Sequence, residues 1–205
     1  ELDHLEAMRH AVGKAAPFGS TTLFVRGGFN DWGNGPSPTA PMTWDNVSKY
    51  RAEVMNIAAG TYEFKVADNG WTATSDCGRA ASAPAAITLG EPLALNCNQG
   101  GNIGLTIPTT GSYLFAIDGA NPAALTITVE QMPFAAALYV RGFAEDWSAS
   151  AGNRMSYLGG GLYRHAQTFA SAGNDNFKIA DADWTSGSDC GSSGATLNVG
   201  TPLTF

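Results

Sequence analysis

The sequence predicts an all-β protein built from two tandem antiparallel β-sandwich modules, the second incomplete, with a short N-terminal helix in front of them. Apolar and polar residues alternate along many short segments, which is the period of half-buried strands. The chain has 25 Gly and 10 Pro, and these residues favour the turns that separate such strands. A long pattern that begins at Leu23 also recurs from Leu138. We therefore divide the 205 residues into a helix and linker at 1–20, a first module at 21–131 and a second module at 132–205.

The N-terminal residues predict one short amphipathic helix. Apolar residues recur at helical spacing from Leu2 to Val12, with charged residues between them. Gly13 and then Pro17 end the pattern. A helix with a single apolar stripe needs a surface to pack against, which the first module, a preceding domain or another chain would supply. Because the chain begins with Glu1, we expect it to be a processed or excised piece of a longer protein.

From Thr22 onward the hydrophobic period changes from that of a helix to that of a strand. Along 60–67, the apolar residues at alternate positions predict one face turned towards the core, which directs Lys65 outward. The second copy keeps this alternation and directs Lys178 outward in the same way. We expect these strands to form a sandwich whose polar face carries the two lysines.

The second copy of the pattern stops earlier than the first. The correspondence is clear at four positions, which pair Trp32 with Trp147, Lys65 with Lys178, Trp71 with Trp184 and Cys77 with Cys190. The second copy then ends at Phe205, whereas the first continues to Val129 and gains further strands. Three explanations are open: a fragment, strands supplied by another molecule, or a shorter variant of the module. We favour the first.

The cysteines predict one disulfide bond. Cys77 and Cys97 would close a loop of about twenty residues, which stabilises a fold by roughly 3 kcal/mol. A disulfide indicates an oxidising compartment. Cys190 corresponds to Cys77, and its expected partner falls just beyond Phe205. Either that partner lies in a missing segment or Cys190 is a free thiol.

Composition and motifs exclude several classes of function. The formal charge is −7, and the few Lys and Arg are dispersed, which argues against a nucleic-acid surface and suits a neutral ligand. No stretch is apolar and long enough to cross a membrane. Motifs for a nucleophile, a zinc site or a phosphate loop are absent from the sequence. Asp181 and Asp183 form the nearest carboxylate pair, which we interpret as a solvated turn. We expect no catalysis, no cofactor and no metal.

Two tryptophans and a lysine in each copy form the candidate site. Indole rings are flat and apolar, so two of them with a nearby cation can cover the C–H faces of neighbouring sugars. The competing interpretation places these rings in the core. For the first tryptophan of each copy, both interpretations stay open. For the second tryptophan, the polar turn that precedes it favours an exposed ring. The candidate residues are Trp32, Lys65 and Trp71 in the first copy and Trp147, Lys178 and Trp184 in the second.

The pattern resembles a known family of carbohydrate-binding modules. It runs from Val25-Arg26-Gly27 to Trp32 and from Tyr62-Glu63-Phe64-Lys65 to Trp71, and it is similar to the starch- and glycogen-binding modules that accompany pullulanases, branching enzymes and related proteins. With Asp76-Cys77-Gly78 included, it resembles tandem modules of secreted bacterial pullulanase-type enzymes. In that family the corresponding Trp, Lys and Trp hold the ligand. The second copy departs from the pattern, with Glu145 in place of Asn30.

The resemblance implies an immunoglobulin-like β-sandwich in a secreted or periplasmic bacterial protein. It implies non-catalytic binding of an α-glucan such as starch, glycogen or pullulan, with the two modules targeting an attached or partner amylolytic enzyme. A catalytic domain before Glu1 or after Phe205 would be that partner. The alternative is a structural or assembly protein, an extracellular fibre or spacer, whose second module is completed by strands of a neighbouring chain. That alternative predicts a homo-oligomer.

Overall fold

In the computed structural model of the protein, residues 13–34, 40–169 and 175–191 are described. The predicted N-terminal helix falls on residues outside these ranges, as does the end of the second module. The chain divides into two units, Glu1–Met132 and Pro133–Phe205. In the described ranges, the regular elements are antiparallel strands and four short 3-10 helices.

The first unit is a sandwich of two antiparallel sheets. Its three-stranded sheet has the order β1-β4-β7, and its six-stranded sheet has the order β2-β3-β8-β9-β6-β5. The strands are β1 (Phe24–Gly27), β2 (Thr43–Trp44), β3 (Lys49–Ile57), β4 (Gly60–Ala67), β5 (Gly78–Arg79), β6 (Leu93–Asn96), β7 (Ile103–Ile107), β8 (Gly111–Asp118) and β9 (Thr126–Gln131). Two 3-10 helices, Gly28–Gly33 and Ala73–Ser75, follow β1 and β4.

The core of the first unit lies between these two sheets. Phe64 of β4 packs edge-to-face on Phe115 of β8, with ring centres 5.2 Å apart, and both side chains are fully buried. Ile103 of β7 and Ile117 of β8 are also fully buried. Each such side chain contributes about 1.5–3 kcal/mol of hydrophobic stabilisation when it leaves water. The predicted all-β sandwich class is therefore confirmed.

Residues 13–20, predicted as the end of a helix and a linker, contain no helix and pack on side chains of β2 and β3 in the same unit. The indole N–H of Trp44 donates to the carbonyl of Lys14 at 2.8 Å. Phe18 packs on Tyr50 with ring centres 5.8 Å apart, and Tyr50 in turn packs on Trp44 at 4.9 Å. Trp44 thus has a packing role between Lys14 and Tyr50.

The second unit reproduces part of this framework. Its strands are β10 (Tyr139–Arg141), β11 (Ser156–Gly159), β12 (Leu162–Arg164) and β13 (Lys178–Ala180), with 3-10 helices at Phe143–Glu145 and Ala151–Asn153. β10 pairs with β13 so that Arg141 lies opposite Lys178, which is the register that pairs Arg26 with Lys65 in β1 and β4. β11 pairs with β12. A small core of Leu138, Val140 and Met155 lies behind them.

The predicted disulfide between Cys77 and Cys97 is present. Cys190 is a free thiol in this structure. It makes the same backbone bridge to Ile179 of β13 that Cys77 makes to Val66 of β4. The described part of the chain contains no helix of the length and apolarity that a membrane span requires.

Candidate functional site

The structure brings the two candidate tryptophans of each copy together. The rings of Trp32 and Trp71 have centres 6.3 Å apart and planes inclined at 44°. The rings of Trp147 and Trp184 have centres 6.1 Å apart and planes inclined at 38°. Trp32 and Trp71 are half-buried, whereas Trp147 and Trp184 are 41% and 36% exposed. We call these two sets the indole pairs.

The first tryptophan of each pair lies on a tight turn after the first strand of its unit. In the first unit, the side chain of Asn30 accepts the N–H of Gly27 at 2.9 Å and donates to the carbonyl of Val25 at 2.9 Å. These bonds close the turn, and Trp32 follows it with a φ of +55°. Asn30 therefore forms the turn that precedes Trp32.

A glycine in each copy lets this turn approach the sheet. A Cβ atom on Gly27 would lie 2.8 Å from the ring of Phe29 and from Cβ of Phe64. A Cβ atom on Gly142 would lie 2.8 Å from Cη2 of Trp147, and the φ of Gly142 is +113°. The glycine of the Arg-Gly sequence thus leaves space for the ring of Phe29 in the first copy and for the ring of Trp147 in the second.

The second tryptophan of each pair lies on a turn closed by an aspartate. Asp68 accepts the backbone N–H and the hydroxyl of Thr72, each at 2.7 Å. Asp181 likewise accepts the N–H of Thr185 at 2.9 Å and of Asp183 at 3.1 Å. The turns place Trp71 and Trp184 in the left-handed region, with φ of +53° and +56°. This conformation is uncommon for a bulky residue and persists only where the surroundings enforce it.

These hydrogen bonds favour the charged forms of both aspartates. Hydrogen bonds from Thr185 are the main cause that lowers the pKa of Asp181 to about 2, against the opposing effect of burial. Burial would raise the pKa of Asp68, but hydrogen bonds from Thr72 and the charge of Arg26 outweigh it and lower the pKa. Both turns are therefore closed by carboxylates at neutral pH.

A buried arginine lies against the second indole of each pair. Cζ of Arg26 is 4.6 Å from the ring centre of Trp71, and Cζ of Arg141 is 3.9 Å from the ring centre of Trp184. Arg26 is 2% exposed and Arg141 is 6% exposed. Neither arginine is predicted as a site residue from the sequence. The signal was the Val-Arg-Gly repeat, which puts a charged residue at the same place in a strand of both copies.

Each guanidinium also hydrogen-bonds the backbone on both sides of its indole pair. Arg141 donates from Nε to the carbonyl of Trp147 at 2.6 Å and from Nη1 to the carbonyls of Asp181 at 2.8 Å and Ala182 at 3.2 Å. Arg26 donates from Nη1 to the carbonyl of Trp32 at 3.4 Å. Its Nη2 donates to the carbonyl and the side-chain oxygen of Asn69, each at 3.3 Å.

The prediction that Lys65 stands exposed beside the tryptophans is wrong. Lys65 is 9% exposed, and its ammonium lies 2.5 Å from a carboxylate oxygen of Asp76. Its strand neighbours Phe64 and Val66 are fully buried, as the alternation predicts. After Trp71, however, the chain returns beside β4 and brings Asp76 to Lys65. Alternation indicates the direction of a side chain and does not indicate whether another segment covers it.

Lys178 is accessible in the second unit, as predicted. Its side chain is 42% exposed, and Nζ lies 2.8 and 3.0 Å from the two carboxylate oxygens of Asp189. The same Nζ lies 5.8 Å from the ring centre of Trp184, within the range of a cation–π contact. The second unit thus presents two exposed indoles with an ammonium and a carboxylate beside them.

Chemically, each site combines inclined apolar ring faces with a few hydrogen-bonding groups. In the described ranges, no group of three or more His, Cys, Asp or Glu could hold a metal ion. Such a surface can stack against flat apolar faces of a ligand and hydrogen-bond polar groups at their edges.

Comparison with known proteins gives similarity in structure only. No protein-family model matches the sequence, and no curated protein matches it. One similar solved structure is described as the ligand-induced structure of AmyP-SBD, with 24% identity, a TM-score of 0.42, and coverage of 56% of this chain and 74% of that chain. Another is SusF from Bacteroides thetaiotaomicron, with 20% identity, a TM-score of 0.41, and coverage of 86% of this chain and 39% of that chain. This chain therefore matches about two fifths of the SusF chain.

Proposed function

We propose that the protein binds α-glucans such as starch, glycogen or pullulan without catalysis, through one indole pair in each unit. The observation that carries this proposal is the repetition of the pair. Ring centres 6.3 and 6.1 Å apart and inclinations of 44° and 38° occur in two units whose cores differ greatly in size. A packing role in the core would not require partly exposed rings at corresponding places in both units.

The inclination of the rings supports an α-linked ligand. Successive sugars of an α-1,4-glucan are rotated in the same sense, so that the chain curves and neighbouring sugars present inclined C–H faces. An extended β-1,4-glucan presents flat faces along a nearly straight ribbon. Two indoles inclined at about 40° can each cover one sugar of a curved chain, because the rings and the sugars then share the same inclination.

The polar groups suit a neutral, hydroxyl-rich polymer. Lys178 donates to Asp189 in the free protein, and its exposed ammonium has further donors to offer to sugar hydroxyls. Asp189 has acceptor capacity at the same place. The net charge of −7 does not oppose binding of an uncharged polymer. Lys178 and Asp189 thus provide hydrogen bonds beside the stacking surface in the second unit.

Two sites on one chain raise the apparent affinity for a polymer that offers many sites. Once one indole pair is bound, the second is held at a high local concentration of the same polymer. We propose that this effect keeps an attached or partner amylolytic enzyme on its substrate. The sequence resemblance to modules of pullulanase-type enzymes supports this role.

Affinity gel electrophoresis in glycogen or amylopectin tests the proposal. We expect the wild-type chain to migrate more slowly with increasing polymer concentration, and the double variant Trp71→Ala with Trp184→Ala to migrate as it does without polymer. Each single variant should keep part of the retardation. Hydroxyethyl cellulose, a soluble β-linked polymer, should not retard the wild type.

Trp44→Phe is the matched control, because Trp44 packs on Tyr50 and belongs to neither indole pair. It should be retarded as strongly as the wild type. A wild type that migrates freely in both α-glucans, or a double variant that is still fully retarded, contradicts the proposal. In the first case the structural or assembly alternative gains support, and light scattering then tests its oligomeric state.

A further inference from the structure

We propose that Arg26 and Arg141 are the positioning residues of the two sites, each fixing the distance and inclination of its indole pair. The proposal deepens the proposed function and rests on it where binding is concerned. Each arginine supports one indole through its ring face and connects the two turns that carry the pair.

The hydrogen bonds of the guanidinium connect two turns that are distant in sequence. Arg141 bonds the carbonyl of Trp147 on one side and the carbonyls of Asp181 and Ala182 on the other. Since Trp184 follows Ala182 by two residues, the position of one ring is linked to the position of the other. Arg26 makes the corresponding bonds to the carbonyls of Trp32 and Asn69.

The stacking contact decides which ring face is free. Arg141 is 6% exposed, and its guanidinium lies over the ring of Trp184, a residue that is 36% exposed. The arginine therefore occupies the inner face of the indole and leaves the outer face to solvent. A ligand can then approach from one direction only. The contact of Arg26 with Trp71 has the same form.

Arginine suits this position better than lysine. Its planar guanidinium carries five N–H donors in a fixed arrangement, so it can stack on a ring and bond several carbonyls at once. A lysine ammonium keeps the charge but not the flat shape or the fixed directions of the donors. The left-handed backbone at Trp71 and Trp184 needs such support, because the conformation is unfavourable without it.

The test replaces each arginine by lysine and reads the indole geometry directly. Two indoles at these distances couple electronically and give a paired positive and negative band in the circular dichroism spectrum. We use a Trp71→Ala background, in which only the pair in the second unit remains to give this signal. There, Arg141→Lys should abolish the paired band and weaken glycogen binding by roughly tenfold or more, as the loss of charge-assisted hydrogen bonds would. Arg26→Lys in a Trp184→Ala background is the reciprocal experiment.

Arg164→Lys is the matched control, because Arg164 is exposed on β12. It should change neither the paired band nor binding. A folded Arg141→Lys variant that keeps both signals overturns the proposal, since arginine would then be needed for stability at most. If Arg141→Lys unfolds the second unit, the paired band and glycogen binding of Arg26→Lys in the larger first unit test the proposal instead. If both variants unfold their units, the specific positioning role is overturned.

Failure of the two proposals gives different results. If the paired band is lost in the lysine variants but the wild type binds no glycogen, the positioning role stands and the proposed function fails. If the wild type binds glycogen and the lysine variants keep the paired band, the function stands and the positioning role fails.

Discussion

Lys65 and Asp76 form an ion pair of 2.5 Å in which the side chains are only 11% and 12% exposed. The corresponding residues of the second unit, Lys178 and Asp189, are 2.8 Å apart with side chains 42% and 31% exposed. The same two residues of the repeat therefore have different environments. In the first unit they are part of the packed structure, and in the second unit they are partly exposed to solvent.

This difference predicts that removing Lys65 mainly lowers stability, whereas removing Lys178 mainly weakens binding. Lys65→Met should lower the free energy of unfolding of the first unit by about 3 kcal/mol, because it leaves a covered carboxylate without its partner. Lys178→Met should change stability by less than about 1 kcal/mol, since an exposed pair contributes little. In a Trp71→Ala background, Lys178→Met should nevertheless weaken glycogen binding. Urea denaturation and affinity electrophoresis measure the two effects.

Equal and small changes in stability for both variants would contradict the structural role of Lys65. Lys14→Met is unsuitable as a control for an exposed ion pair, because the ammonium of Lys14 donates to a backbone carbonyl, that of Ala120. Lys49→Met provides a better comparison, since Lys49 pairs with Asp118 at 3.2 Å and both side chains are partly exposed. It should behave like Lys178→Met in stability.

The left-handed backbone at Trp184 predicts an unusual order of stability among small substitutions. Alanine at a φ of +56° keeps a backbone cost of about 1 kcal/mol that glycine does not have. Trp184→Gly should therefore unfold with a free energy about 1 kcal/mol higher than that of Trp184→Ala, although both lose the indole. Trp147, whose φ is not in the left-handed region, is the comparison site. Trp147→Gly should therefore not be more stable than Trp147→Ala. Denaturant titration measures the free energy of unfolding of all four variants.

The disulfide predicts a specific pattern of labelling and stability. Without reductant, a thiol reagent should modify Cys190 alone, and after reduction in denaturant it should modify all three cysteines. The double variant Cys77→Ala with Cys97→Ala should lose roughly 3 kcal/mol of stability, the value for a loop of this length. Cys190→Ala serves as the control and should unfold as the wild type does. Peptide mass mapping measures the labelling.

The low pKa of Asp181 predicts a loss of stability in acid. Its pKa is about 2 in the folded protein and about 4 in an unfolded chain. A carboxylate with a lowered pKa contributes stability that is present above about pH 4 and is lost as the pH falls towards 2. The unfolding temperature of the second unit should therefore fall over this interval. Asp181→Asn should reduce that dependence, and calorimetry as a function of pH measures it.

Asp183→Asn is the control for this experiment. It removes a carboxylate from the same turn, but from an exposed side chain. It should leave the acid dependence of the second unit unchanged. An Asp181→Asn variant with the same pH dependence as the wild type would show that another group causes the loss of stability.

The sequence predicted the sandwich class and the disulfide, and it identified the tryptophans that form the indole pairs, because each of these depends on residue types and their spacing. Alternation along 60–67 identifies the inward residues, and the turns before Trp71 and Trp184 indicate rings outside the core. The repeat adds evidence, since two copies are not expected to share such residues by chance. These signals involve residue types and spacing, which the sequence contains directly.

The covered Lys65 and the buried arginines could not be predicted in the same way. A charged residue within a strand is ordinarily expected to reach solvent. Here the chain after Trp71 covers Lys65, and carbonyls of two separate turns accept hydrogen bonds from each guanidinium. Both effects depend on how distant segments meet. The packing of residues 13–20 could not be predicted for the same reason, because the contact of Phe18 with Tyr50 depends on a surface formed by distant strands.

The indole pairs also determine how the protein emits light. Of its five tryptophans, four belong to the two pairs, and Trp44 is the fifth. The intrinsic fluorescence of the chain therefore comes mainly from its two candidate sites. A ligand that stacks on these rings and displaces water should shift the emission towards shorter wavelengths. Occupancy can thus be followed in solution with the unlabelled protein.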